Sequence, residues 1–296
     1  MKKLRILPIL LALAAVVMTG CKAPAVSMPD SADHVDLDTT QDLVLSGTIT
    51  AGEDAWDYEI TTYTVTGEHC ASDESSHVLT RHSYQLPLMT VYPAEGKASD
   101  SAAQAADAFN DYFAQELENE VAWFDEMAAT ADEDYAAVGH QGDSVWQDEM
   151  FCYSDEATLE FWSNGRALCV NTTRYSYTGG PHPIVWTSCV TFDLRTGKPV
   201  VVSDLTADMT KLQAAIEQEL LRQAGEAGED AYYEDYAETL SAWTERSVVF
   251  DDDGMTVIFG VYDIAPYAAG EQSFLIPYDL LRPYLNDYGR MLLGLN

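Results

Sequence analysis

A chain of 296 residues with 47% hydrophobic and 11% aromatic residues carries ample material for a packed core, which argues against a disordered protein. Its net charge of −34, from 49 acidic against 15 basic residues, repels nucleic acid and anionic lipid headgroups and draws cations or basic proteins. A solvated acidic surface with no partner satisfies the same numbers.

The first residues, Met1-Lys2-Lys3-Leu4-Arg5, are basic, Ile6 to Met18 is nearly all apolar, and Thr19-Gly20-Cys21 follows. A charged start, a short apolar core and small residues ahead of a cleavage site predict an export signal over residues 1–20. The apolar run is shorter than the ~20 residues that span a bilayer core. Met18-Thr19-Gly20-Cys21 resembles the bacterial lipobox, with Met where Leu is commoner. That resemblance implies a diacylglyceryl group on the Cys21 thiol and cleavage that leaves Cys21 first, so that the remainder lies outside the cytoplasm. Paired acyl chains, at ~0.8 kcal/mol per buried methylene, hold a protein stably at the membrane. No acidic residue precedes Cys21 while Lys2, Lys3 and Arg5 do, so losing residues 1–20 takes the charge from −34 to −37.

Residues 21–40 hold Pro, Ser, Asp and Thr without periodicity and suit a flexible tether. Alternation then predicts strands at Leu43 to Leu45, Tyr58 to Val65 and Val78 to Tyr92, with Pro87 marking an edge strand or a bulge. From Ser101 the apolar residues Ala105, Phe109, Tyr112, Phe113, Leu117, Val121, Phe124 and Ala128 recur at helical spacing, and Ser101 with Gln104 fits a capping box. Asp107, Asp111, Glu118 and Asp125 form its solvated face. Leu159 to Trp162 and Ala167 to Tyr177 flank Asn164-Gly165, the pair that suits a type I′ hairpin. A strand at Ile184 to Leu194 and a helix at Thr210 to Ala224, with Leu212, Ile216 and Leu220 on one face, come next. The acidic stretch Glu226 to Glu238 either extends that helix or forms a short separate one. Ser247 to Phe250 and Thr256 to Tyr262 read as strands around Asp251-Asp252-Asp253-Gly254, followed by a strand at Phe274 to Ile276 and a helix around Tyr278 to Leu285. This order predicts an α+β fold: antiparallel sheets each covered by a helix, in two tandem subdomains, 41–146 and 147–296.

Three segments carry a resemblance to a known family. Tyr175-Ser176-Tyr177-Thr178-Gly179-Gly180-Pro181-His182, Phe192-Asp193-Leu194-Arg195-Thr196-Gly197-Lys198, and Tyr262-Asp263-Ile264-Ala265-Pro266-Tyr267-Ala268-Ala269-Gly270 before Ile276-Pro277-Tyr278 resemble the C-terminal extracellular domain of RsiV-type anti-sigma factors. Pro181 departs from the pattern, where Ala is commoner. Leu86-Pro87-Leu88 ahead of Tyr92-Pro93 and the long helix resemble the companion module shared with PdaC-type peptidoglycan deacetylases. The family implies an extracellular scaffold that binds lysozyme. Its cytoplasmic sigma-factor segment and its deacetylase domain have no counterpart expected here, so no sigma factor is a partner and no enzyme activity is expected. The expectation is a lipoprotein binding module for lysozyme or another cationic wall-directed protein. A peptidoglycan-binding module or a wall-modifying enzyme is the alternative.

Candidate contacts fall in two loops. Gly179, Gly180 and His182, with flanking Tyr177, either form a plain turn or project into a partner's cleft. Pro266, Tyr267 and Gly270 shape a second loop, in which Tyr267 is either an exposed anchor or a core residue. After cleavage, Cys70, Cys152, Cys169 and Cys189 can form disulfides in any of three connectivities, and Cys169 faces Cys189 only if the intervening loop centres on Gly179. Glu68, His69, Asp73, Glu74, His77 and His82 match no metal-site spacing, and Asp251-Asp252-Asp253-Gly254 reads as a hairpin turn. No metal, cofactor or catalytic residue is expected.

Overall fold

A computed structural model of the chain describes residues 35–51, 54–72, 77–93, 100–138, 152–228 and 231–295. The export signal, Cys21, Asp73 and Glu74 lie outside the described residues. The fold is α+β in two parts, as the order of elements predicts. One unit takes the described residues up to Thr158 with Tyr175–Pro183; the other takes Leu159–Arg174 with the chain from Ile184 onward. The units therefore interleave in sequence.

In the first unit, β1 (Val35–Ala51), β2 (Asp54–Cys70) and β3 (Val78–Pro93) form an antiparallel ladder. β1 starts inside the stretch read as a tether, pairing Val35 with Gly67 and Asp38 with Thr64. Backbone pairing needs no particular side chains, which is why composition did not reveal it. Burial on β2 and β3 alternates, with Tyr63, Val65, Tyr84 and Leu86 all buried. Next come α1 (Asp100–Val138) and β4 (Tyr153–Ser163), and β4 lies parallel to β3, matching Thr80 with Tyr153 through Tyr84 with Ala157. The expectation of purely antiparallel sheets fails here for a reason of connection. A helix between neighbouring strands is the crossover that a parallel pair requires.

α1 begins at Asp100, so Ser101 lies within its first turn and is not the cap predicted for it. Its stripe of Ala105, Phe109, Phe113, Leu117, Val121 and Phe124 is buried, each large side chain contributing roughly 1.5–3 kcal/mol. Pro87 sits past the last β3–β4 pair, where β3 stays paired with β2. Two residues on, Met89 turns its N–H and C=O away from β2 to the side chain of Asn110 on α1. Asn110 Oδ1 accepts from Met89 N at 2.8 Å and Nδ2 donates to Met89 O at 2.9 Å. Residues two apart on a strand direct their backbone groups the same way, so the N–H that Pro87 lacks would also have faced this edge.

β5 (Ala167–Tyr177), in the second unit as far as Arg174, follows β4 through Asn164-Gly165-Arg166. Gly165 has φ +80, but Asn164 does not share a positive φ, so the turn is not type I′. Asn164 acts through its side chain, whose Oδ1 accepts from the N–H of Arg166 and of Ala167, both at 2.9 Å. β6 (Ile184–Asp193) and β7 (Lys198–Val200) pair antiparallel. α2 (Met209–Ala227) is capped by Asp208, whose side chain accepts from Lys211 N, and it buries Leu212, Ile216, Leu220 and Ala224. The acidic stretch resolves into a separate helix, α3 (Tyr236–Ser241). β8 (Ser247–Phe250), β9 (Gly254–Phe259) and β10 (Gln272–Pro277) follow, then α4 (Tyr278–Leu281) and α5 (Asp287–Leu292). The core gathers Trp243, Val257, Phe259, Phe274 and Ile276 under the stripe of α2. Gly254 lets β9 and β10 meet, since a Cβ there would lie 2.3 Å from the Ile276 carbonyl oxygen. Across the described residues the sheets run in the orders β1-β2-β3-β4-β5-β6-β7 and β10-β9-β8. Among those residues no helix is long and apolar enough to cross a membrane.

Candidate functional site

The loop between β5 and β6 is built for backbone shape. Gly179 and Gly180 take φ +91 and +98, conformations other residues rarely adopt. Tyr177 Oη donates to Gly180 O at 3.0 Å and fastens the turn from one side. His182 Nδ1 lies 3.0 Å from Pro183 O, so in this bond Nδ1 carries the proton. A Cβ at Gly179 would sit 3.5 Å from the Tyr153 ring, and Tyr153 donates its hydroxyl proton to Asp134 at the far end of α1. Burial, then that bond, pushes the Tyr153 hydroxyl up to about 12. Thr178, Gly179, Gly180 and Pro181 are exposed, while Tyr177 and His182 are half-buried. The four candidate residues of this loop thus lie together, with its glycine tip outward.

The second loop belongs to the other unit. Pro266 leads into a single 3-10 turn, Tyr267–Ala269, and Gly270 ends it at φ +71. Tyr267 is half-buried and leans on Tyr262, with ring centroids 5.7 Å apart and a 35° tilt. Tyr262 is the one non-glycine residue with positive φ (+69) among those described, and half of its surface is exposed. The strand predicted through residue 262 therefore stops at Phe259, and the chain turns. A bulky side chain in that conformation costs about 1–2 kcal/mol, so the turn is held by its surroundings. Asp263 accepts from Gly260 N at 2.7 Å and pairs with Arg246 at 3.0 Å, while Glu271 accepts from the N–H and hydroxyl of Thr187 at 2.7 and 2.8 Å. Pro266, Tyr267 and Gly270 form a second group, in the other unit.

The remaining family-like segment is a structural turn. Asp193 is buried and accepts from Arg195 N at 2.9 Å, Arg195 Nη2 at 3.0 Å and Tyr288 Oη at 3.0 Å. Asp251 likewise folds its own hairpin, its Oδ1 accepting from Asp253 N and Gly254 N at 2.8 and 3.0 Å.

The four described cysteines, Cys70, Cys152, Cys169 and Cys189, are thiols. Cys70 is exposed, Cys152 buried, and Cys169 and Cys189 lie on neighbouring strands. A hydrogen bond joins these last two, lowering the Cys169 thiol and, with burial, raising that of Cys189 well above its usual range. Cys169 Sγ also lies 3.2 Å from Thr191 Oγ1. All four are thiols, so none of the three connectivities is formed among the described cysteines.

A group that sequence reasoning did not assemble lies in the first unit. His82 on β3, Glu120 on α1 and Asp155 on β4 are 3%, 5% and 0% exposed, and one potential ligand atom from each lies within 4.8 Å of the others. The parallel register sets His82 beside Asp155. His82 Nδ1 stands 3.5 Å from Asp155 Oδ2, close enough for attraction but without hydrogen-bond geometry, and among the described residues neither ring nitrogen has a hydrogen-bond partner. A buried polar atom left so costs about 1–3 kcal/mol. The sequence neighbours first grouped with His82 go elsewhere: His69 meets Asp132 at 2.9 Å, and Glu68 meets Arg81 at 3.3 Å. The visible signal was Glu120, a carboxylate inside the apolar stripe between Leu117, Val121 and Phe124.

Comparison with known proteins gives a family segment and a fold. Residues 201–279 match a family described as a protein of unknown function, DUF3298, and so include α2, the three-stranded sheet and the Pro266–Gly270 loop. A solved member of the DUF3298 family from Bacteroides fragilis is 20% identical with a TM-score of 0.59, covering 80% of this chain and 97% of its own. A DUF3298 family protein from Pseudomonas aeruginosa is 15% identical with a TM-score of 0.43, covering 76% of this chain and 94% of its own. No curated protein sequence matches.

Proposed function

We propose that this chain is an extracytoplasmic lipoprotein, held at the membrane through Cys21, whose folded region binds a cationic wall-directed protein such as lysozyme. The observation that carries the reading is charge: −34 overall, and −37 once residues 1–20 are removed. α1 concentrates it, since none of its residues is Lys or Arg, and Asp107, Asp111, Glu118 and Asp125 are exposed along it. Such a surface speeds encounter with a basic partner, while a specific complex needs shaped contacts as well. The exposed Gly179–Pro181 tip and the Tyr262–Tyr267 pair supply candidates for those contacts.

The role is binding, and catalysis is not part of it. The test mixes the chain lacking residues 1–20 with lysozyme at low and at physiological salt, following complex formation by calorimetry and lysozyme activity on cell walls. A complex that weakens with salt yet persists at physiological strength supports the proposal. No complex at low salt refutes it, and one that vanishes entirely at moderate salt reduces it to charge attraction. Co-sedimentation with insoluble peptidoglycan and fragment analysis in the same samples identify a wall-binding module or a wall-modifying enzyme in its place.

A further inference from the structure

We infer that His82, Glu120 and Asp155 form a buried site for one divalent transition ion of the zinc class. This goes beyond the proposed binding role and does not depend on it. The three groups come from a strand, a helix and a neighbouring strand, and converge within 4.8 Å in a region closed to solvent. Two carboxylates brought that close in a low-dielectric interior cannot both stay charged without a proton or a cation between them. Among the described residues the imidazole beside them has no hydrogen bond at either nitrogen, so a lone pair is available to a cation. One imidazole nitrogen with carboxylate oxygens suits zinc-type ions, whereas calcium and magnesium favour oxygen throughout.

The surroundings fit a structural ion. Tyr84 stacks on the His82 ring at 6.1 Å between centroids, and Phe124 packs against it at 5.6 Å, fixing the ring in an apolar wall. Thr80, fully buried and sharing a β3 face with His82, has a hydroxyl without a partner among the described residues and is a candidate for a further donor. An ion at this point would tie α1 to β3 and β4 across the crossover.

The test uses the chain lacking residues 1–20, stripped with a chelator and kept in excess Mg²⁺ so that exposed carboxylates are occupied. Titration with Zn²⁺ should show one equivalent bound and a raised melting temperature, and Co²⁺ should give the visible absorption bands of a low-coordinate site. His82→Gln, Glu120→Gln and Asp155→Asn should each weaken Zn²⁺ binding by at least about 100-fold, since even supporting groups around a metal cost 10–100-fold. Asp279→Asn, at an exposed site in the other unit, should leave it unchanged. Where a variant fails to fold, the stoichiometry, cobalt spectrum and melting shift of the unaltered chain decide. The inference is overturned if the unaltered chain takes up no Zn²⁺ in excess Mg²⁺, or if His82→Gln folds and binds as tightly. It is also overturned if magnetic resonance of the metal-free and zinc-treated chain shows the same protonated His82.

Discussion

Replacing Asn110 by Ala should destabilise the first unit by roughly 1.5–3.5 kcal/mol. The Asn110 amide makes two hydrogen bonds, at 2.8 and 2.9 Å, to the backbone of Met89, a fully buried residue. Truncation leaves one N–H and one C=O without that partner, at about 1–3 kcal/mol for each group that water cannot reach. Partial access at this edge argues for a total near 2–4 kcal/mol before correction. Ala then returns up to ~0.7 kcal/mol through better helix propensity. Asn119 supplies the internal reference, being exposed on the same helix and bonded to Glu116 at 3.4 Å. Asn119→Ala has the same propensity gain and should stay within about 0.5 kcal/mol of the parent chain. Urea unfolding followed by circular dichroism gives both values, and amide exchange at Met89 should accelerate in the first variant alone. If Asn110→Ala proves no less stable than Asn119→Ala, the amide does not close this strand edge.

Three further outcomes are expected. Oxidised glutathione should join Cys169 to Cys189, two electrons and both thiol protons passing to the two glutathione thiols it leaves behind, which thiol titration after desalting and peptide mapping would read. A loop of about 20 residues closed this way should add about 3 kcal/mol, and reagent-accessible thiols at both positions in the oxidised, folded chain would refute the pairing. Tyr153 is raised from 10.0 to about 12, so the folded state holds a proton that the unfolded chain has lost. Its contribution is full below pH 10 and fades as pH climbs through about 12; Tyr153→Phe should show a shallower alkaline loss in melts across that window. Gly254→Ala places a methyl 2.3 Å from the Ile276 carbonyl oxygen, and should cost at least about 2 kcal/mol or prevent folding, as thermal melts would show.

Strands and helices with a regular apolar period were legible in the sequence. The stripe Leu212, Ile216, Leu220 marks α2 within a few residues of its ends, and alternation marks β2 and β3. Pairings between distant segments were not. β4 carries no label that says it lies parallel to β3, and only that register places Asp155 beside His82. Local chemistry also misled where a side chain had two uses: Asn164 suggested a positive φ, but it shapes its turn through its amide oxygen. Glu120 was the most readable anomaly, because a carboxylate on the buried stripe must find a partner within the fold.

α1 carries both proposals, and salt separates them. Its exposed carboxylates face water, where added ions screen any interaction beyond about 8–10 Å at physiological strength, so affinity for a basic partner must fall as salt rises. Glu120 lies on the opposite side of the same helix and is 5% exposed, where counterions cannot enter. Zinc affinity at the His82 site should therefore change little across a salt series that weakens partner binding. Conversely, replacing Asp107 and Asp111 by Asn should slow association with lysozyme and leave zinc binding intact. If salt weakened both in parallel, the zinc would be held by the acidic surface and not by the buried group.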